Sequence, residues 1–409
     1  MQNFNWRRGQ CPGREVNSFM DKFDVAIVGA GPAGSAAAIS LARRGYAVAL
    51  IDKERFPREK LCGDFINPSN WPMLEQLGVT RQLFMQDHEI VTAFRITTDC
   101  GAAAEAALPS IDGAPVHGLG LRRFFFDQIL LKKAQEQGVT ALTGCRIKTL
   151  QRQADGWRVG YGLGESLEEL TAQVLIGADG RNSWVAHHLG MARGAPRGGN
   201  HIGFQLRFKY SQVLRGRVEI HLFPGGYAGV LGLGDGTIKL GMAADRRRLG
   251  ARVGGGVGVD ALIQSQLLQN PHLKEILRSS EPVGTVRSTY PVYFSPRRSV
   301  GDGVLLIGDA ARVNEPVSGE GIFFAMRSAA IAAAAIDQAF GRGNFSAREL
   351  FEYERRCRAE FRLRRGLNGA IRFLMYRPAL LTPFVRLSGK KKRLLESLVH
   401  AICRPEAAA

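Results

Sequence analysis

Residues 24–50 read DVAIVGAGPAGSAAAISLARRGYAVAL, and this stretch constrains the fold more than any other. An apolar run rich in β-branched residues meets a glycine turn, then an alanine-rich helical segment, then a second apolar run ending at Asp52. The pattern predicts a β-α-β unit, with Gly29, Gly31 and Gly34 at GxGxxG spacing. Gly29 makes the tight turn, Gly31 lets the backbone approach a pyrophosphate, and Gly34 allows close contact of helix and strand. The helix start offers unpaired N–H groups and a positive dipole end to phosphates. Asp52, 23 residues beyond Gly29, stands where a carboxylate accepts hydrogen bonds from ribose hydroxyls. The strand before, the helix after and the acid downstream together predict dinucleotide binding. The competing reading is a glycine-rich turn in an unliganded α/β domain.

Two further segments repeat the strand–turn–helix theme. Residues 175–190, LIGADGRNSWVAHHLG, run from a buried strand into a turn at Asp179-Gly180. Residues 303–335 carry VLLI into Gly308-Asp309, then a loop with Pro316, Gly319 and Gly321, then a long helix of small residues. Between them, residues 201–242 alternate as strands do, with turns at 224–226 and 235–236, and residues 89–116 are read as adding strands. The fold class expected is α/β: a Rossmann-like dinucleotide-binding domain, an inserted antiparallel β-sheet substrate domain, and a helical C-terminal region. An N-terminal extension covers 1–22. The nucleotide domain is discontinuous over 23–88, 117–198 and 282–340. The substrate domain takes 89–116 and 199–281, and the basic helical region 341–409.

The chain of 409 residues carries 55 Lys and Arg against 37 Asp and Glu, a net +18. Much of that excess is C-terminal: residues 341–409 hold 16 basic and 6 acidic side chains, and residues 361–395 hold ten basic and none acidic. Phe361, Leu367, Ile371, Phe373, Leu380 and Phe384 are interleaved with those cations. Three readings follow: a solvated face packed on the nucleotide domain, attachment to an anionic membrane surface, or, least of the three, nucleic acid, for which no reading module is present. No run approaches ~18 uninterrupted apolar residues, so no transmembrane helix is expected. The six cysteines are scattered without a CxxC pair, so neither a disulfide framework nor a zinc site is expected. His187 and His188 are adjacent and do not share a helix face, so no metal site is expected there either. The N-terminus is polar and lacks the apolar core of a secretory signal, which with the cysteine pattern suggests the cytoplasm, with the basic tail at the membrane periphery.

With all three segments in order, the chain resembles the FAD-dependent oxidoreductases of the geranylgeranyl reductase and aromatic hydroxylase superfamily. That resemblance covers roughly residues 24–338. It implies that Gly29, Gly31, Gly34 and Asp52 hold the ADP part of a non-covalently bound FAD. Arg123, four residues before Asp127, would contact FAD, as would Asp179 and Gly180, while Asp309 after Gly308 would bind the ribityl chain. Gly319 and Gly321 would run under the flavin, where a helix N-terminus stabilises negative charge on the reduced ring. Residues 56–64, FPREKLCGD, look like the FPR-x-K-x-CG segment of the reductase branch. By that resemblance Cys62 lies close to the flavin; the residue alone reads equally well as a small buried hydrophobe. Asp64 has three readings: proton donor, turn former or surface group.

Two departures limit the carry-over. The reductases' Y-x-W-x-F-P motif is reduced to a tyrosine, Tyr227, the candidate substrate contact, without the tryptophan and proline. Arg312 stands where the family usually has glycine. The function expected is an FAD-dependent oxidoreductase acting on a lipophilic small molecule such as an isoprenoid or polyketide, leaning to reduction of C=C bonds. The alternatives are an FAD-dependent monooxygenase, a flavin-dependent halogenase (its W-x-W-x-I-P signature is absent), or a non-catalytic flavin or membrane-surface protein. No second GxGxxG is present, so NAD(P)H would bind transiently as electron donor, and an acidic electron-donor protein would suit the basic surface equally well.

Overall fold

The computed structural model describes residues 21–111, 114–162, 164–192, 200–210, 214, 216–247, 267–313 and 316–403. Its first strand, β1 (Asp21–Val28), leads through the glycine turn into α1 (Pro32–Ala42) and on to β2 (Val48–Asp52). Proline at the first helical turn and a run of alanines favour the helix. β1 pairs in parallel with β2 on one side and with Glu168–Gly177 on the other. Thr140–Thr143 extends the parallel sheet beyond β2, and Val304–Leu306 extends it beyond Glu168–Gly177. The register sets Val28 opposite Gly177 and Gly177 opposite Leu306. The three glycine turns therefore emerge side by side at the carboxyl ends of neighbouring strands, where open α/β sheets bind ligands. The first half of Glu168–Gly177 also pairs antiparallel with Gly156–Gly162, which pairs with Arg146–Gln153.

The alanines of α1 let it pack closely on the helix Gly321–Arg342. That second helix is long and apolar enough to cross a bilayer, yet most of it is buried within the nucleotide domain's core. β1 itself begins at Asp21, inside the stretch expected to be an extension; residues 1–20 lie outside the described residues.

A second sheet has seven strands in the order Ser280–Thr289, His201–Tyr210, Thr237–Asp245, Gly226–Gly232, Arg217–Phe223, Ala93–Thr97, Ala103–Ala107. It departs from the expected layout in three ways. Ser280–Thr289 belongs to this sheet, although residues from 282 onward were assigned to the nucleotide domain. Arg217–Phe223 and Ala93–Thr97 pair in parallel, so the sheet is not purely antiparallel. Glu89–Val91 joins a separate small sheet with Gly118–Gly120 and Phe65–Ile66.

Four helices close the chain: Ala347–Glu360, Arg362–Met375, Pro378–Lys390 and Arg393–Cys403. The first packs on the nucleotide domain through Leu350, Tyr353 and Cys357. The other three cover the substrate sheet, with Met375, Leu381, Val385, Leu395 and Val399 in one core with Ile96, Ala104 and Ile220. At about 1.5–3 kcal/mol per fully buried aliphatic side chain, that contact holds the three helices down firmly. Cys62, Cys100, Cys357 and Cys403 are free.

Candidate functional site

A cavity of about 1190 Å³ runs from the glycine turns of the nucleotide domain to the space between the substrate sheet and the last three helices. Its walls change character along the way. At one end lie Gly29, Gly31, Asp52, Arg58, Lys60, Arg123, Asp179, Gly180 and Asp309; at the other, Phe94, Ile220, Leu231, Ile371, Leu374, Leu381 and Phe384. Cys62, Gly319 and Gly321 line the same cavity, as does Tyr227.

The polar end is built by backbone geometry. Gly29 has φ +104°, and a Cβ there would lie 2.4 Å from the Ala178 carbonyl oxygen. A Cβ on Gly34 would lie 1.8 Å from the Gly29 carbonyl oxygen, so Gly34 does not line the cavity but lets α1 press on the turn. Gly31 differs: among the described residues a Cβ there would meet only Arg58 Nη2, at 3.6 Å, and one on Gly321 would meet none within 4 Å. Both helices that begin here, α1 and Gly321–Arg342, start without a side-chain cap. Their free N–H groups and positive dipole ends suit an anion. Gly308 shapes the third turn from behind, its N–H donating to Ser328 Oγ at 3.0 Å.

Asp52 accepts hydrogen bonds from Ala30 N (2.7 Å) and Glu54 N (2.9 Å), which fixes its carboxylate at the end of β2. Arg123 is bound bidentately by Asp127, at 2.7 and 2.8 Å. Burial alone would lower its pKa, but Asp127 and the Cys62 thiol beside it outweigh that and raise it. Arg58, which the sequence reading passed over, reaches from Asp127 (2.9 Å) towards Asp52 (3.9 Å) and stands over the glycine turn. Lys60 extends into the cavity; burial, then the Arg58 and Arg123 charges, hold its ammonium pKa below the usual value. Signals for both were present in FPREKLCGD, but only folding shows that these cations converge with Arg123.

Asp64 is placed differently from a proton donor. It is buried, adopts φ +58°, and does not line the cavity. Its carboxylate pairs with Lys239 Nζ at 2.9 Å and accepts from Arg123 N at 3.2 Å. Burial pushes its pKa up, against the pull of Lys239. Of its three readings the geometry fits the turn former. Arg312 is likewise outside the cavity, not beside a phosphate or flavin held there.

The residues fit FAD on three observations. The backbone at Gly31 and Gly321 faces open space, the Asp309 carboxylate faces the cavity without a hydrogen bond from any described residue, and Asp179 Oδ1 is buried without a partner. Comparison with known proteins bears on the same point. The FAD binding domain family matches residues 22–221. The digeranylgeranylglycerophospholipid reductase of Methanosarcina acetivorans is 30% identical over 356 residues, covering 83% of this chain and 81% of that protein. The chain belongs to the FAD-dependent oxidoreductases of the geranylgeranyl reductase family. The menaquinone reductase of Mycobacterium tuberculosis is 29% identical over 330 residues, covering 78% of this chain and 77% of that one. Among solved structures, a geranylgeranyl bacteriochlorophyll reductase-like protein of Thermoplasma acidophilum superposes with a TM-score of 0.76 at 19% identity, over 95% of this chain and 98% of that one, and so shares the geranylgeranyl reductase fold.

Proposed function

We propose that this flavoenzyme reduces a carbon–carbon double bond in a long, lipophilic, prenyl-type substrate. The observation that carries this reading is the continuity of the cavity. One end carries the glycine turns and cations that suit a dinucleotide, and the remainder is lined by apolar side chains that suit a hydrocarbon chain. Bound and reduced, FAD would supply the hydride, with NAD(P)H or a reduced carrier protein as the source of electrons. The protein must then position the double bond, exclude water and deliver one proton. Apolar side chains from the substrate sheet and the last helices do the first two. We assign the proton to the Cys62 thiol, which lies beside Arg123 where the two halves of the cavity meet. The Cys62 N–H donates to Gln205 Oε1 at 2.9 Å, fastening this segment to the substrate sheet. Tyr227, on the apolar side, is assigned to substrate contact. The names of two relatives, a digeranylgeranylglycerophospholipid reductase and a menaquinone reductase, support the same substrate class.

The cavity wall also supports a route of entry from an anionic bilayer. Leu380 and Leu394 line the cavity yet are 55% and 39% exposed. They continue outward to Leu387, 46% exposed, beside the turn carrying Lys390, Lys391, Lys392 and Arg393. An apolar rim next to a cationic turn is the chemistry of an interfacial membrane contact.

The deciding experiment is anaerobic turnover. FAD-loaded enzyme reduced with dithionite, which does not itself reduce isolated C=C bonds, is mixed with a digeranylgeranyl glycerophospholipid, and products are read by mass. A product heavier by two hydrogens per turnover without O₂ is expected. A product that forms only with O₂ and gains an oxygen atom assigns the chain to monooxygenation instead.

A further inference from the structure

A second cleft, of about 340 Å³, lies on the outer face of the helix Arg362–Met375, away from the main cavity. Among the described residues five arginines line it: Arg312, Arg358, Arg362, Arg365 and Arg372. No acidic residue among the described ones does. Helical spacing explains the convergence, because 362, 365, 369 and 372 fall on one face while Leu367 and Ile371 face the main cavity. Gly366 and Gly369 sit on the cleft face, leaving the floor clear of side chains, and beyond the neighbouring backbone of their own helix no described atom lies within 4 Å of a Cβ built on either.

Like charges gathered this closely cost free energy unless an anion is shared between them. Of the five, Arg358 is paired with Glu354, and the Arg372 guanidinium lies 3.8 Å from the Tyr293 ring centre. Arg312, Arg362 and Arg365 form no ion pair with any described residue, and Arg312 Nε is buried without a hydrogen-bond partner. Arg312 is also the position at which this chain departs from its family's usual glycine. Planar guanidinium forks at different angles around a small volume match the oxygens of a phosphate or diphosphate.

We propose that this cleft binds a phosphate-bearing small molecule through Arg312, Arg362, Arg365 and Arg372. The cleft shares a wall with the flavin loop: Asn368 lines it and donates from Nδ2 to Ser318 Oγ at 2.7 Å, and Ser318 lines the main cavity. The site is independent of whether the enzyme reduces or oxygenates its substrate.

The test uses FAD-saturated enzyme, so that the cofactor's own phosphate site is filled, and inorganic pyrophosphate as the probe. Isothermal titration is expected to show saturable binding, weakened roughly tenfold or more by Arg312→Gln combined with Arg365→Gln. The same double variant should melt higher than the parent without pyrophosphate, because the repulsion is relieved. A control with Lys390, Lys391, Lys392 and Arg393 changed to Gln should bind pyrophosphate as the parent does. NADPH and NADH arms identify the source: competition by NADPH alone points to a nucleotide 2′-phosphate, competition by both to a nucleotide diphosphate, and by neither to a non-nucleotide phosphate. Absence of saturable pyrophosphate binding, or equal binding by parent and double variant, overturns the proposal.

Discussion

Arg364 Nη1 lies 2.6 Å from Glu320 Oε1, and this buried pair ties the helix Arg362–Met375 to the residue just before the helix Gly321–Arg342. Removing one partner of such a pair leaves a buried charge without compensation. Arg364→Ala should therefore cost about 3–5 kcal/mol in urea unfolding, and adding Glu320→Gln should recover part of the loss. The pH dependence follows from the sign of the shift. Burial raises the Glu320 pKa above its ordinary value, with Arg364 pulling the other way. Its contribution to stability is thus complete below the ordinary carboxylate range and is lost as pH rises through the raised pKa. Without Arg364 that pKa moves higher still, so the deficit should be small in acid and widen towards neutral pH. A deficit that stays constant with pH would mean that the contact with the Phe323 ring, 4.4 Å from the guanidinium, dominates instead.

The glycine turn separates cofactor binding from folding. Gly31 has space for a side chain on the protein side, so Gly31→Val should fold and melt normally but retain little FAD. Gly34→Val drives a Cβ into the Gly29 carbonyl and should fail to fold. Flavin absorbance per protein and circular dichroism read the two effects. Stoichiometric FAD in Gly31→Val would refute the placement of the pyrophosphate.

Asp309→Ala should weaken FAD retention roughly tenfold, the scale of one hydrogen bond involving a charged group. Acid precipitation of the parent should release all the yellow colour, as expected of a flavin held without a covalent bond. Colour left on the pellet in the parent and absent in Cys62→Ala would contradict this.

Cys62 and Asp64, two residues apart, should behave oppositely. Cys62→Ala should keep FAD and stability while slowing turnover by roughly a hundredfold, as loss of a general acid does. Asp64→Asn should lower the melting temperature, because it leaves Lys239 buried without its counter-charge, yet leave the pH profile of turnover in place. A shifted profile in Asp64→Asn would return that residue to the chemistry.

Vesicle binding tests the apolar rim. The enzyme should co-sediment with phosphatidylcholine vesicles containing phosphatidylglycerol, but not with phosphatidylcholine alone, and salt should release it. Changing Lys390, Lys391, Lys392 and Arg393 together to Gln should abolish that binding with the flavin spectrum unchanged. A parent that ignores anionic vesicles at low salt, or a concentration-dependent dimer broken by Leu387→Gln, would assign the rim to another purpose.

What the sequence disclosed, and what it hid, follows from range. The turns at Gly29, Asp179 and Gly308 were legible because each is a local strand–turn–helix signal. Their alignment on neighbouring strands is what the structure adds. Ser280–Thr289 escaped notice because it is an edge strand with Pro282 and Gly284 and little apolar alternation. The parallel pairing of Arg217–Phe223 with Ala93–Thr97 joins distant segments and leaves no trace in either. The basic tail was legible as helical and cationic, but one list of apolar residues concealed three destinations. Phe361 enters the nucleotide domain's core, Ile371 and Phe384 line the cavity, and Phe373 faces out.

Two helices, α1 and Gly321–Arg342, pack together with their positive ends converging where Arg58, Lys60 and Arg123 also gather. Such an arrangement makes the melting temperature a reporter of mass action. Each tenfold rise in free FAD above its dissociation constant adds about 1.4 kcal/mol to the folded state. In a cell short of flavin, the same convergence of charge would make the protein's abundance follow the supply of its cofactor.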